Sequence, residues 1–493
     1  MPPALRNPPV PRLRHRSPRG PGTPDGTGRT GRAFGARPAA SPGWAARDAA
    51  TWIAAVAVGA ALSAAAVLTR APLGTAAAPF SGRYRLVLDS GSMLAPALAA
   101  VVIAAVVARV HERLGWRALL AAGFAVAAGW TYALALVDGG SGIAAPLAGP
   151  TGYLSDVATI GSHPGAFLRD YVASAPSHAL ATRQHPPGPS LLLWGLRAAG
   201  ASRPGLLGLV VVLAGALTVP LVAIAVRSLC QETAARRLVP VLALAPYALW
   251  AGVSMEAVTA TLAAAGIACG AVGSERGRSP WWAVAAGVLL GTACLFSYAA
   301  PWLAVSVIAV YFVRRRPLLN VLSGAGALLP LLVALLAGFS WEAGLRAASG
   351  DFALRVEPHR SWAVWVLLDL AVLAVAAGPA LVTSLRKARR TPGWPFLVGA
   401  GLAVALATAT GLARGEVERS WLPFFPWLLV AAVAPELRAR SSGGDGGTDG
   451  SPDGDPAGEA QSQAAQAAPV PVGLVALGAL TAVALAAVLR SPW

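Results

Sequence analysis

The feature that most constrains this chain is the recurrence, from residue 49 to its end, of apolar runs long enough to cross a bilayer, separated by short polar or arginine-rich loops. A span needs about 17–25 apolar residues to cross roughly 30 Å of hydrocarbon. With no water there, every backbone N–H and C=O must be paired within the protein, and a helix pairs them within one segment. Runs of this kind lie at 49–69, 93–110, 118–137, 204–226, 238–253, 256–273, 281–297, 300–313, 318–338, 362–385, 394–413, 420–435 and 469–489. They predict an all-α polytopic membrane protein, a bundle of about thirteen transmembrane helices. Its first partner is the lipid bilayer.

Composition agrees. Of 493 residues, 56% are hydrophobic and 12% charged, against about 25% charged in soluble domains. The formal charge of +17 suggests nucleic acid at first sight, but its placement argues against that. Nine arginines fall in residues 1–48 beside only Asp25 and Asp48, and the others cluster between spans. Lys and Arg accumulate on the cytoplasmic side of membrane proteins. With the N-terminus cytoplasmic, the inner loops hold Arg109, Arg113 and Arg117; Arg227, Arg236 and Arg237; Arg276 and Arg278; Arg314–Arg316; Arg386, Lys387, Arg389 and Arg390; and Arg438 and Arg440. Every even crossing meets a basic cluster. The chain is expected in the cell membrane, with loops 70–92, 138–203, 254–255, 298–299, 339–361 and 414–419 outside. Cys230, Cys269 and Cys294 lie in or beside spans without metal-type spacing.

Five segments follow. Residues 1–48, rich in Pro, Gly and Arg, read as a disordered basic tail. Two N-terminal spans occupy 49–117, the main membrane module 118–435, a flexible Gly/Asp/Ser linker 436–468 and a last span 469–493.

Chemistry concentrates in the outer loops. The 138–203 loop carries Asp138, Asp156, His163, Arg169, Asp170, His178, Arg183 and His185, and closes on His185-Pro186-Pro187-Gly188-Pro189. Prolines fix φ and forbid a regular helix there. Phe167, Leu168, Tyr171 and Val172 share one face of a predicted short helix suited to the membrane interface. Further polar islands are Glu256; Arg355, Glu357, His359 and Arg360; and Glu416, Glu418 and Arg419. Asp369, inside a predicted span, is costly to bury and calls for a partner; an interhelical role is expected.

The order of these features resembles the GT-C glycosyltransferases, nearest to the protein O-mannosyltransferases and aminoarabinose transferases. The matching positions are an acid after a long apolar span (Asp156), then His185-Pro186-Pro187-Gly188 leading into a helix with Trp194. A later acid at a span end (Glu256) and the charged run Gly415–Arg419 before an aromatic span follow. The likeness covers roughly 118–435. Two extra spans precede the loop, Asp156 stands alone where an acidic pair is usual, and histidine replaces lysine before Pro-Pro. Asp138 is an alternative acid.

The resemblance implies an inverting transfer of a sugar from a polyprenyl phosphate to a glycan, lipid or protein acceptor on the outer face. Asp156 would be the base, which typically contributes about 10²–10⁴-fold, and Glu256 would orient the acceptor. Arg355, Arg360, Arg419 and His185 would receive the departing phosphate. Asp138, His359, Glu416, Glu418 and Trp194 complete the expected substrate site. Carboxylate oxygens would also suit a divalent metal, although no ligand spacing demands one. The alternative from another class is a membrane transporter or lipid-handling protein, which would place polar groups and broken helices near the bilayer midplane.

Overall fold

A computed structural model describes residues 43–87, 91–252, 254–433 and 470–490. Most of the expected N-terminal tail and the linker, with Arg438 and Arg440, lie outside the described residues. The chain is mostly helical, at 74%. Sheet is confined to one antiparallel pair, Arg83–Tyr84 with Leu489–Arg490.

Five helices are long and apolar enough to cross a membrane: Trp44–Leu68, Trp116–Asp138, Pro204–Cys230, Met255–Gly273 and Leu319–Leu336. Two bent pairs bring the number to seven if each is one span. Trp341–His359 with Trp362–Ala377 bends by 99°, and Ala380–Arg390 with Trp394–Thr410 by 118°. Gly91–Val107, Trp281–Cys294, Pro301–Val313 and Val472–Val488 are shorter apolar helices. Length and composition thus support five to seven crossings among the described residues, fewer than the thirteen expected.

The difference has particular causes. The expected span 420–435 is, over its described residues to 433, not one helix but short turns, Val417–Ser420, Phe425–Leu428 and Val430–Ala432. Pro423 and Pro426 interrupt it, and Trp421, Phe424, Phe425 and Trp427 are all buried. Broken backbone at membrane depth is tolerated where protein, not lipid, surrounds it. The expected span 238–253 likewise stops at Ala243 and resumes only as the turn Ala248–Ala251. The expected span 362–385 breaks at Gly378, which has φ 78°. The N-terminal tail also ends earlier than expected, because the first helix begins at Gly43. Asp48 is buried, accepting from the Thr383 hydroxyl at 2.6 Å and pairing with Arg386 at 3.0 Å.

Met255–Gly273 is the central helix: 72% of its most apolar stretch is buried, against 22% for Trp44–Leu68 and Leu319–Leu336. Its Ala- and Gly-rich face lets neighbours approach closely, as small residues do between membrane helices. The same logic joins Trp281–Cys294 to Leu319–Leu336, where a Cβ at Gly287 would land on the Ser323 carbonyl. Glu256 therefore sits at the start of the most enclosed helix of the bundle.

Candidate functional site

The 153–198 region is a chain of short helices folded over that end of the bundle: Leu154–Ile160, Pro164–Asp170, Leu180–Arg183 and Gly188–Ala198. The predicted short helix is present. Its apolar residues pack on protein, where Phe167, Leu168 and Val172 surround a cluster of Tyr171, Ala334 and Phe339. Tyr171 is buried, and its hydroxyl lies 2.7 Å from both the Thr182 and the His185 carbonyls. Gly188 N–H donates to the Leu295 carbonyl at 2.8 Å, so close that a Cβ there would collide with it. Tyr171 from one side and Leu295 from the other fix the His-Pro-Pro-Gly turn.

That turn aims His185 at Glu256. His185 Nε2 and Glu256 Oε1 are 2.6 Å apart and both residues are buried. His185 Nδ1 lies 2.8 Å from the Ala181 carbonyl, which can only accept, so Nδ1 carries a proton. Two lone pairs would then repel at 2.6 Å unless a second proton lies between Nε2 and Oε1. The pair shares one proton and is neutral in sum. Glu256 Oε2 is buried with no hydrogen-bond partner.

His185 and Glu256 line a cavity of about 490 Å³ together with Arg360, Glu416 and Arg419. Glu416 accepts from both arginines, 3.3 Å from Arg360 and 3.4 Å from Arg419. Two guanidinium groups therefore meet one carboxylate on this wall. Tyr298, Trp302, Leu345, Phe352, Leu406 and Leu412 form the opposite, apolar wall. Trp302 is 38% and Leu412 63% exposed, so the apolar wall continues onto the outer surface of the bundle.

The structure brings together His185, Glu256, Arg360, Glu416 and Arg419. It places the other candidates elsewhere. Asp156 does not line this cavity; its carboxylate accepts from the Ala179 amide at 2.9 Å and faces His178 at 3.7 Å. Burial alone would raise its pKa, but His178 and that amide outweigh it and hold the carboxyl below its ordinary value. Arg355 is exposed and paired with Asp351 at 2.8 Å, and His359 is exposed and does not line the cavity. Trp194 donates to the Gly161 carbonyl at 2.8 Å and packs in a separate apolar cluster. Glu418 lies behind the cavity, completely buried, accepting from the Ser81 amide at 2.9 Å. Asp369 accepts from the Gly415 amide at 2.9 Å, which ties its helix to the 411–416 turn.

Asp138 faces a second cavity, of about 710 Å³, with Arg83 and Arg490. Arg360 and Glu416 line both cavities and form the partition between them. Among the described residues no three His, Cys, Asp or Glu side chains group as metal ligands would. Glu256, the carboxylate on the first cavity's wall beside His185, is engaged by it at 2.6 Å.

Sequence reasoning missed the apolar wall. Tyr298 and Trp302 sit where two expected spans meet, and Phe352 sits in the expected outer loop 339–361 without a charge to mark it. It also missed Asp351, which bridges Arg183 at 3.1 Å and Arg355 at 2.8 Å and fastens the Trp341–Arg355 helix over the site. Its sole signal was an acid at helical spacing from Arg355.

Fold and site together define a mostly helical protein whose apolar helices fit a membrane protein, with one charged, half-apolar cavity. No family model, curated protein or solved structure matches the chain.

Proposed function

We propose that this chain is a membrane glycosyltransferase that takes its sugar from a polyprenyl phosphate. The observation that carries this reading is the single cavity shared by the His185–Glu256 dyad, the Arg360–Glu416–Arg419 cluster and an apolar wall that continues to the surface. A lipid-linked phosphate has the matching parts. Its tail suits Trp302, Phe352 and Leu412, and its negative charge suits the Arg360 and Arg419 guanidinium groups, whose planar donors match a phosphate. Fixed cationic donors in a poorly hydrated site also stabilise charge as it develops on a departing phosphate.

In the transfer itself, an acceptor hydroxyl or amine attacks the anomeric carbon. The bond from that carbon to the phosphate oxygen breaks, and its electron pair leaves with the polyprenyl phosphate. The acceptor's proton passes to the unpartnered Glu256 Oε2, while His185 holds the other oxygen in place. The resemblance assigns the base to Asp156; its engagement with Ala179 and His178 favours Glu256 in that role. The orientation with the N-terminus cytoplasmic and these loops outside belongs to the same reading, and makes a donor already displayed on the outer leaflet the natural one.

Native mass spectrometry of the protein in nanodiscs made from its own membranes tests this. A polyprenyl-phosphate mass is expected on the wild type and on Glu256→Gln, and reduced at least tenfold on Arg419→Ala. In membranes, Glu256→Gln is expected to lower sugar transfer by about 10²–10⁴-fold. Absence of any phosphate-bearing lipid from the wild type would overturn the reading.

A further inference from the structure

The second cavity differs in character from the first. Its charged lining is Arg83, Asp138, Arg360, Glu416 and Arg490, with Thr75, Ser141 and Thr151 supplying hydroxyls. No aromatic side chain lines it, and its apolar lining is limited to small groups and Leu180. A lipid tail would gain little there, whereas a hydrated ligand would exchange water for charged and hydroxyl partners.

The charges are unequal and loosely held. Arg360 is matched to Glu416, and Arg490 lies 3.6 Å from Asp138. Both members of the second pair are about one-third exposed, at 33% and 34%. Arg83 is exposed and has no carboxylate partner among the described residues. Three guanidinium groups against two carboxylates leave one positive charge over, and it falls at Arg83, on the exposed strand.

Its five charged residues come from five distant parts of the chain. Arg83 and Arg490 are paired residues of the only strand pair among the described residues, Arg83↔Arg490 and Tyr84↔Leu489. Arg85 and Val87 extend that pairing, donating to the Val488 and Ala487 carbonyls at 2.8 Å. The last apolar helix, Val472–Val488, therefore delivers a cation to the cavity through its C-terminal end and is more than an anchor. Paired strands turn successive side chains to opposite faces, and here the paired residues Arg83 and Arg490 both line the cavity.

We infer that this polar cavity is a binding site for a hydrophilic, negatively charged carbohydrate, and that the C-terminal helix completes it through Arg490. A volume of about 710 Å³ accommodates a ligand of more than one sugar ring. Asp138 and the hydroxyls accept and donate to ring hydroxyls, and Arg83 with Arg490 meets the acidic group. The assignment of this ligand as the acceptor of transfer rests on the function proposed above and on Arg360 and Glu416, which line both cavities. The binding itself does not rest on it.

Equilibrium binding to the purified full chain in nanodiscs tests the site, with a glucuronate-terminated disaccharide and neutral cellobiose as probes. The acidic disaccharide is expected to bind at least tenfold more tightly than cellobiose. Arg490→Ala and Arg83→Ala are each expected to weaken it at least fivefold. Arg83 is exposed, so its replacement leaves the fold intact even if Arg490→Ala disturbs the strand pair. Equal binding of the two probes, binding unchanged in Arg83→Ala, or no binding of either probe would overturn the inference. Retained binding of the acidic probe in a protein that captures no phosphate-bearing lipid would sink the transfer reading alone.

Discussion

Glu418 shows how one side chain can report on the whole assembly. It lies in the turn Val417–Ser420, outside the membrane-crossing helices, and is completely buried. One oxygen accepts from the Ser81 amide and the other has no hydrogen-bond partner. Burial pushes its carboxyl up to about 7, with Glu416 adding to the rise and the Ser81 amide and Arg419 opposing it. An unfolded glutamate titrates near about 4.3. Between these values the native state holds the extra proton. The contribution to stability is therefore complete below about pH 4 and is lost as pH rises through about 7. Its size is on the order of 3 kcal/mol. Thermal unfolding in detergent should show Tm falling from about pH 5 to about pH 8, and Glu418→Gln should flatten that fall. A Tm profile identical in the two proteins would show that the proton is not taken up at Glu418. At the same scale, Glu256 and Asp156 illustrate the limit of residue-by-residue inference. Both are acids near a helix start, and only their partners, His185 for one and the Ala179 amide for the other, distinguish their chemistry.

At the scale of elements, the His-Pro-Pro-Gly turn does what its sequence implies, and the reason is visible. Pro186 and Pro187 restrict the backbone. Gly188 then permits the turn to lie directly on the Leu295 backbone, at the C-terminal end of Trp281–Cys294. His185 is thereby carried to the start of Met255–Gly273. Gly188→Ala would force that contact apart, which costs typically about 1–3 kcal/mol. The variant should unfold at a lower temperature and lose sugar transfer by more than its loss of folded protein accounts for, measured on the monodisperse fraction. Full transfer by that fraction would mean that the dyad does not depend on this turn. The Trp341–Arg355 helix is the companion element on the apolar side. Its Leu345 and Phe352 face the cavity while Asp351 fastens it to Arg183. His185, Glu256 and Arg419 thus converge on one cavity, whereas Asp156 and Trp194 lie outside it.

For the whole molecule, the question is which crossings are real and how they are oriented. The basic clusters predict that the 274–278 turn lies in the cytoplasm and the 339–361 region outside. Gly277 and Gly350 both have open space around them, so a cysteine at either meets no neighbour, with backbone strain at Gly277, where φ is 78°. The native Cys230 and Cys294 are buried. Replacing all three native cysteines, then introducing Gly277→Cys or Gly350→Cys, gives two proteins for labelling with a membrane-impermeant maleimide. In intact cells, Gly350→Cys should be labelled and Gly277→Cys only after permeabilisation. Labelling of Gly277→Cys in intact cells would reverse the orientation and with it the outer-leaflet donor.

Much of this was legible in the order of residues. Long apolar runs forced helices, because an unpaired backbone group in hydrocarbon is too costly, and the helices at 44–68, 116–138, 204–230, 255–273 and 319–336 follow. Clustering of the rare charged groups marked where chemistry would lie. Hydropathy could not separate a segment wrapped in lipid from one wrapped in protein, since both reward the same side chains; 421–433 is the second kind. Nor could it choose among the acids. Which carboxylate meets a histidine, which an amide and which an arginine is decided by long-range packing: Glu256 lies 71 residues from His185, and Asp138 meets Arg490 from the strand after the last helix. Local sequence specifies φ, hydrophobicity and charge. Proximity across the bundle is a property of the folded chain alone.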